Sequence, residues 1–205
     1  MEEFSEKLEA NALNLDWIKE FYQSIRSDIS VNLEKNLDPL LSLLDTLTPE
    51  QLENFERVIE KKIAEEERDL ADPGDALERQ FERYQSLQKF FLGELTKRQK
   101  LSLREHLRSH PWPWREHLDH KKNLLQKFLA TRSNPRARRD FVRSWIVELG
   151  GPRLASFAAA LEAYQSHIHI WSIDFYRNLE PSQRQKFVKK LRSRAAEFRR
   201  ISQQD

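Results

Sequence analysis

The segment Leu47-Thr48-Pro49-Glu50-Gln51-Leu52 carries the clearest signal for the fold. The Thr48 hydroxyl can accept a hydrogen bond from a first-turn N–H, and the Gln51 side chain can reach back to the N–H of Thr48. Pro49 suits the first helical position, where its missing N–H costs nothing, and Leu47 can pack against Leu52. The pattern predicts a capping box and a helix that starts at Thr48.

Two further segments repeat this signature, at residues 95–99 and 179–183. Thr96 and Gln99 occupy the cap and third positions in the first segment, and Gln183 occupies the third position in the second. An apolar residue follows each glutamine after four positions: Phe55, Leu103 and Phe187. The recurrence fits a degenerate α-hairpin repeat with a weak copy at Pro135, and it equally fits independent N-caps.

Apolar periodicity and prolines predict helices along the rest of the chain. The predicted helices cover residues 13–29, 77–91, 114–130, 135–149, 152–176 and 180–198, besides those that start at Thr48 and Thr96. Asp38-Pro39 marks either a further helix over residues 38–47 or a kink. Gly150-Gly151 is expected to end the helix before it in a left-handed conformation. With only 4 glycines, the sequence predicts an all-α fold, an elongated or curved bundle of roughly seven to nine antiparallel helices with short proline-marked turns. We expect one domain over residues 1–205, with two sub-bundles, 1–110 and 111–205, as an alternative.

Composition excludes several classes of protein. There is no cysteine, which rules out disulfides, thiol catalysis and thiolate metal sites. No apolar stretch reaches the roughly 18 to 20 residues of a membrane-spanning helix, and the first residues lack the layout of a signal peptide. The sequence as it stands predicts a soluble protein.

The charges are distributed unevenly. Residues 1–75 carry 20 acidic and 8 basic side chains, whereas residues 76–205 carry 13 acidic and 27 basic ones. One interpretation is a basic surface between Arg79 and Arg200 for nucleic acid or anionic lipid; the other is that the two halves pack together or present solvated faces. Because the net charge is only +2, we expect no specific nucleic-acid binding.

Four histidines lie within fifteen residues of each other. His106 and His110 are four apart and His117 and His120 are three apart, so each pair can share a helix face and ligate zinc. The alternative is a solvated polar face beside a loop, and we predict no metal. His167 and His169 are expected to be packing or surface residues.

The loop His110-Pro111-Trp112-Pro113-Trp114 must interrupt a helix, because a proline disfavours the α conformation of the residue before it. Trp112 and Trp114 are the candidate partner-binding residues, as an aromatic platform for a peptide, sugar or base. The alternative is that they fold back and close the end of the bundle. The sequence contains no glycine-rich phosphate loop, serine nucleophile motif or His-Glu-x-x-His, so we predict neither catalytic residues nor a cofactor.

The order of these elements resembles a known family. The run Leu47–Gln51 with its two copies, a helix from Leu77 that ends Phe91-Leu92-Gly93, and the ending Gln183–Ile201 are similar to Gram-negative envelope lipoproteins of domain of unknown function 6279. The Leu-Thr-x-x-Gln segments at 47–51 and 95–99 resemble, more distantly, the motif of Spy/CpxP-type periplasmic chaperones. The resemblance implies a periplasmic or outer-membrane-anchored protein, held by a lipid anchor that this sequence lacks.

These observations predict a non-enzymatic envelope protein that binds a protein or peptide client in a chaperone-like manner. The alternative is a protein that binds nucleic acid or anionic lipid through its basic C-terminal region. The sequence specifies neither the client nor the oligomeric state.

Overall fold

A computed structural model describes residues 2–10 and 12–202, in which ten α-helices and no strand occur. The helices are α1 (Glu2–Glu9), α2 (Leu15–Lys35), α3 (Asp38–Asp45), α4 (Pro49–Asp69), α5 (Pro73–Leu92), α6 (Lys97–Ser109), α7 (Trp114–Ala130), α8 (Pro135–Val147), α9 (Ala155–Arg177) and α10 (Pro181–Ser202). The all-α prediction is confirmed. The number exceeds the expected seven to nine because no helix was predicted before residue 13, where α1 lies. Both α1 and α3 have only eight residues, but α3 has a proline in its first turn that marks its start and α1 has none. None of the described helices combines the length and apolarity needed to cross a membrane.

The predicted capping boxes are present at α4 and α6. Thr48 Oγ1 accepts from the Gln51 N–H at 3.2 Å, and the Gln51 side chain accepts from the Thr48 N–H at 2.8 Å. Thr96 and Gln99 form the same pair of bonds, at 3.2 and 2.9 Å. At α10 only the glutamine half forms, because Glu180 stands where the other two helices have threonine, and Gln183 accepts from its N–H at 3.2 Å.

The N-termini of α6 and α10 are joined by a pair of buried glutamines. Gln99 donates to Gln183 Oε1 at 2.7 Å, and Gln183 donates back to Gln99 Oε1 at 3.0 Å. Gln183 also donates to the carbonyl oxygen of Glu94 at 3.0 Å. Each side-chain amide oxygen therefore accepts two hydrogen bonds, one from the N-cap N–H of its own helix and one from the glutamine side chain of the neighbouring helix.

The end of α8 differs in detail from the prediction. The Gly150 N–H donates to the Trp145 carbonyl at 2.9 Å, which closes the helix end, but Leu149 with φ 52° occupies the first left-handed position. Gly150 and Gly151 follow at φ 118° and 77°. Helix α9 begins at Ala155 rather than at Pro152, since the Leu154 carbonyl accepts its first helical hydrogen bond, from Ala158.

The chain forms two compact units that alternate along the sequence. Unit 1 comprises residues 1–19, 76–111 and 165–205, and unit 2 comprises 20–75 and 112–164. This division differs from the sequence-based alternative of 1–110 and 111–205, because α2 and α9 each contribute residues to both units.

Unit 1 has a single apolar core. Leu103 and Leu107 of α6 are fully buried, and Leu8 and Leu13, which flank the end of α1, are almost so. Helix α1 packs on α10, with Phe4 against Phe187 at a ring-centroid distance of 5.8 Å. Eight residues are too few for a stable isolated helix, so α1 depends on these contacts.

Unit 2 is held together by apolar packing and by ion pairs between acidic and basic helices. Helix α4 packs on α7, and α3 packs on α8. The interhelical ion pairs are Asp38–Arg143 at 3.1 Å, Asp38–Arg139 at 3.9 Å, Asp45–Arg139 at 2.6 Å, Glu66–Lys121 at 2.5 Å and Glu67–Lys122. Glu56 of α4 pairs with Arg132 of the loop between α7 and α8. Acidic residues of the N-terminal half thus neutralise basic residues of the C-terminal half within this unit.

Candidate binding site

The proline-rich loop leads directly into α7. The Trp114 N–H donates to the Trp112 carbonyl at 2.8 Å, and α7 begins at Trp114. Pro113 occupies the N-cap position and supplies no side-chain cap. The two prolines therefore fix the positions of both tryptophans relative to the first turn of α7.

Trp112 is the centre of an aromatic cluster in unit 2. Its ring centroid lies 5.1 Å from that of Tyr164, 5.6 Å from His117, 6.3 Å from Phe157 and 6.4 Å from Trp114. Phe157 and Tyr164 are buried, whereas both tryptophans are half-buried. Trp112 thus packs on aromatic side chains of its own unit, and Trp114 contacts Trp112.

The histidines of α7 act as aromatic side chains in this cluster. The rings of His117 and His120 each lie 5.1 Å from that of Phe157. Burial, with a smaller effect of Lys121, lowers the pKa of His117 to about 4. Burial also lowers the pKa of His120, whose Nε2 lies 3.2 Å from the Gly150 carbonyl oxygen. Both rings are therefore neutral at pH 7.

A second aromatic cluster, the histidine stack, lies in unit 1. His106 stacks on His110 at 5.2 Å and on Trp171 at 5.1 Å, and His110 stacks on His167 at 3.8 Å. Trp171 donates its ring N–H to Ser102 Oγ at 3.1 Å. The sequence analysis assigned His167 only to packing or the surface. Its four-residue spacing from Trp171, which matches that of His106 and His110, was the available signal.

His106 is the most perturbed member of the histidine stack. Burial, followed by the proximity of His110 and His167, lowers the pKa of His106 to about 4. Among the described residues, its buried Nε2 has no hydrogen-bond partner. A charge on this ring would therefore lie in an apolar environment next to two other imidazoles.

The four histidines of the zinc hypothesis are divided between the two units. His106 and His110 belong to unit 1, and His117 and His120 belong to unit 2. Over residues 2–10 and 12–202, no group of three or more histidine, aspartate or glutamate side chains is arranged to hold a metal ion. The spacing in the sequence thus does not produce a four-histidine cluster within either unit.

Helices α2, α3 and α4 expose many apolar side chains in unit 2. Nine of the fourteen large apolar residues that the described chain exposes belong to these helices: Tyr22, Ile25, Ile29, Val31, Leu33, Leu40, Leu43, Phe55 and Val58. We call them the α2–α4 surface. Ile25 and Ile29 belong, with Leu13 and Ile18, to the apolar recurrence on which the predicted helix over residues 13–29 rests, and such a recurrence predicts one buried face. In the structure only Leu13 and Ile18 are buried, whereas Ile25 and Ile29 are 36% and 44% exposed.

Comparison with protein-family models, curated proteins and solved structures found no match to the chain. Functional interpretation therefore rests on the geometry.

The Trp112 cluster, the histidine stack and the α2–α4 surface differ in how much apolar area they expose to a ligand. The rings of the Trp112 cluster and of the histidine stack mainly contact one another, and ring nitrogens of His106, His110 and His120 lack hydrogen-bond partners among the described residues. The α2–α4 surface instead offers apolar area that a ligand can remove from water, which stabilises a complex by about 25 cal/mol per Å². This surface is the best candidate for binding a partner.

Proposed function

We propose that this protein is a non-catalytic helical protein that binds polypeptide clients in a chaperone-like manner through the α2–α4 surface. The observation that carries the proposal is the concentration of exposed apolar side chains on three consecutive helices. Exposed apolar side chains that share one face usually mark an interaction site, and Tyr22, Ile25, Ile29 and Leu33 share one face of α2. A polypeptide with exposed apolar residues is the natural ligand for such a surface.

Trp112 and Trp114 are assigned a supporting role in partner binding. Trp114 is half-buried at the first position of α7, so part of its ring remains accessible to a peptide. Trp112 contacts Tyr164 and Phe157 and holds the loop in place. Loss of Trp114 should therefore affect binding more than folding, and loss of Trp112 should affect both.

An envelope location is part of the same proposal. It is supported by the resemblance of the Leu-Thr-x-x-Gln segments to envelope lipoproteins and periplasmic chaperones. Such a protein would be tethered by a lipid anchor and would meet clients in the periplasm. Fractionation of cells that express the protein tests this location: we expect it in the envelope fraction, and recovery in the cytoplasmic fraction would contradict the proposal.

Aggregation of reduced insulin, followed by light scattering, tests client binding. We expect the protein to suppress aggregation and the variant Ile29→Ser/Leu43→Ser to lose most of this effect. The matched control is Leu87→Ser/Leu101→Ser in unit 1, whose residues are 53% and 66% exposed and should not matter. Circular dichroism establishes that all variants fold. Equal loss in both variants, or no suppression by the wild type, would contradict the proposal.

A second candidate function is binding of nucleic acid or anionic lipid through unit 1. This unit carries 19 basic and 13 acidic residues, a net charge of +6. Lys190 Nζ and Arg194 Cζ lie 4.6 and 5.5 Å from the ring centroid of the exposed Phe90. Cations beside an accessible aromatic ring can bind a polyanion.

A further inference from the structure

We propose that unit 1 binds the surface of an anionic lipid membrane through the outer face of α5 and the cations of α10 beside it. This inference rests on the second candidate function and specifies its ligand. It involves none of the residues of the α2–α4 surface. The residues that carry it are Arg83, Leu87, Phe90, Lys186, Lys189, Lys190 and Arg194, which we call the α5–α10 surface.

Helix α5 exposes two large apolar side chains next to each other. Leu87 and Phe90 are 53% and 43% exposed, and their three-residue spacing places them on one face of the helix. Arg83, one turn before Leu87, is also exposed, whereas Phe81 and Gln88 of the opposite face are buried. The outer face of α5 thus combines apolar side chains with a cation.

Helix α10 contributes further cations to this face. It carries eight basic residues and one acidic residue. Lys190 Nζ and Arg194 Cζ lie 4.6 and 5.5 Å from the ring centroid of Phe90. Lys186 Nζ lies 3.1 Å from the position that a Cβ of Gly93, the residue after α5, would occupy. These contacts place the cations of α10 beside the exposed apolar residues of α5.

Two carboxylates lie near the α5–α10 surface, and both are paired. Glu94 pairs with Lys89, and Glu197 pairs with Arg194 at 2.5 Å. The hydrogen bond and charge of Lys89 lower the pKa of Glu94, and the charges of two further lysines add smaller effects. The carboxylates therefore leave an excess of positive charge around Leu87 and Phe90.

Four cations of the α5–α10 surface form no ion pair within the part of the chain that the structure describes: Arg83, Lys186, Lys189 and Lys190. Lys186 and Lys189 are exposed, and their three-residue spacing places them on one face of α10. Each lysine or arginine close to an anionic membrane strengthens binding about 5-fold.

The apolar residues favour a membrane over a nucleic acid. Leu87 has no ring on which a base can stack, and Lys190 lies over the Phe90 ring where a base would have to stack. A membrane instead accepts both side chains at the boundary between head groups and acyl chains, while the neighbouring cations bind anionic head groups.

Co-sedimentation of the full chain with lipid vesicles tests the inference. We expect binding to vesicles of phosphatidylcholine and phosphatidylglycerol in equal parts, and no binding to phosphatidylcholine alone. Binding should persist at about 0.15 M salt, because the apolar contribution is not screened. Equal binding to both kinds of vesicle, or binding to neither, would overturn the inference.

A matched pair of apolar variants tests the role of α5. Leu87→Ser should weaken vesicle binding about 10-fold, since it removes an apolar side chain from the surface that enters the membrane. Ile170→Ser should leave the affinity unchanged. Ile170 is 50% exposed and belongs to unit 1, but no lysine or arginine lies three or four positions away from it. Equal effects of the two substitutions would overturn the inference.

A matched pair of charge variants tests the role of α10. Lys186→Gln/Lys189→Gln should weaken vesicle binding about 20-fold, as expected for two lysines near an anionic surface. Lys61→Gln/Lys62→Gln changes the net charge equally but alters two exposed lysines of unit 2, so it should have little effect. Circular dichroism establishes that all variants fold. Equal weakening by both variants would mean that net charge, and not the α5–α10 surface, determines binding.

The nucleic-acid and client-binding readings give different results. Submicromolar DNA binding at about 0.15 M salt that Leu87→Ser leaves unchanged, without binding to anionic vesicles, would overturn the inference in favour of nucleic acid. Leu87→Ser and Lys186→Gln/Lys189→Gln should still suppress insulin aggregation, because they leave the α2–α4 surface intact. Vesicle binding with no suppression of aggregation by the wild type would support the inference and contradict the chaperone-like function.

Discussion

Thr48 stabilises the start of α4 through one side-chain hydrogen bond. Its hydroxyl accepts from the Gln51 N–H at 3.2 Å, a group with no partner inside the helix. Thr48→Ala should therefore lower the free energy of unfolding by about 1 kcal/mol, measured by urea denaturation. Thr46→Ala is the control, because the Thr46 hydroxyl donates to the Leu43 carbonyl and caps no N–H. Equal effects of the two substitutions would contradict a role for the cap.

Gly151 is the glycine at which a side chain is least tolerable. Its φ is 77°, and an added Cβ would lie 3.1 Å from Trp145 Cδ1 and 3.2 Å from Leu124 Cδ2. Gly151→Ala should destabilise the protein by about 1–3 kcal/mol, because backbone strain and close contacts add. Gly150→Ala, at φ 118° with nothing within 4 Å, isolates the backbone effect. If thermal denaturation shows that Gly150→Ala lowers stability more than Gly151→Ala, the close contacts around Gly151 do not contribute to the effect.

Residue-scale features were predictable where they depend on neighbours in the sequence. The Thr48 and Thr96 capping boxes join residues three positions apart, so their residue types alone identify them. The left-handed Leu149 could not be predicted, because Gly150 and Gly151 beside it are the residues that normally adopt that conformation. Its position depends on where packing ends α8.

At the scale of elements, Gln99 and Gln183 couple the starts of α6 and α10. Both are buried, at 8% and 6% exposure, so replacing one leaves the amide of the other without its partner. We expect Gln183→Leu alone to cost about 1–3 kcal/mol, the usual cost of an unsatisfied buried polar group, because Gln99 Nε2 then loses its acceptor. Gln99→Leu should cost less, since Gln183 keeps the Glu94 carbonyl and the Glu180 N–H as partners. The double variant Gln99→Leu/Gln183→Leu should cost less than the sum of the single variants. A double-mutant cycle from urea denaturation measures this coupling.

Gln51→Leu provides the control for this cycle. Gln51 occupies the same position in the signature but is exposed, so its loss removes only its half of the capping box. Strict additivity of the Gln99 and Gln183 substitutions would show that their reciprocal hydrogen bonds contribute nothing to stability.

The histidine stack should make unit 1 sensitive to acid. The pKa of His106 is about 4 in the folded protein and about 6.5 in an unfolded chain, so the unfolded chain binds more protons between these values. Stability therefore rises with pH across this window, and acidification from pH 7 to 4 should remove roughly 3 kcal/mol, at about 1.4 kcal/mol per pKa unit.

The variant His106→Phe tests this prediction. Phenylalanine keeps a ring against Trp171 but carries no proton, so stability should fall less between pH 7 and 4 than in the wild type. His117→Phe serves as the comparison in unit 2, because the pKa of His117 is also lowered to about 4 by burial. Urea denaturation midpoints at several pH values give the slope of stability against pH for each variant. An unchanged slope in His106→Phe would mean that the stack is not a source of acid sensitivity.

Element-scale contacts were only partly visible in the sequence. The four-residue spacing of His106 and His110 predicted a shared helix face, and their rings do stack. The contacts of His110 with His167 and of Gln99 with Gln183 join residues 57 and 84 positions apart. Local pattern carries no information about which helices pack together, so these pairs required the tertiary structure.

At the scale of the whole molecule, the uneven charge distribution has two different outcomes. In unit 2, six ion pairs join carboxylates of α3 and α4 to cations of α7, α8 and the loop between them. The sequence predicted such neutralisation as an alternative, but it could not predict that it applies to unit 2. The net charge of unit 2 is −4, from 20 acidic and 16 basic residues, whereas that of unit 1 is +6.

Binding of DNA should therefore depend on the cations of unit 1. Lys186 and Lys189 of α10 are exposed, whereas Arg139 and Arg143 of α8 already pair with Asp45 and Asp38. Lys186→Gln/Lys189→Gln should weaken DNA binding at low salt, and Arg139→Gln/Arg143→Gln should change it little, since cations released from phosphates drive such binding.

The salt dependence of DNA affinity tests whether DNA binding is a function of the protein. Because few cations take part and screening acts over about 8 Å at 0.15 M salt, we expect DNA affinity to disappear near that concentration. Filter binding across a salt series measures the affinity and the slope. Submicromolar affinity that persists at about 0.15 M would instead favour the nucleic-acid function, and an equal loss in the Arg139→Gln/Arg143→Gln variant would place the binding surface in unit 2.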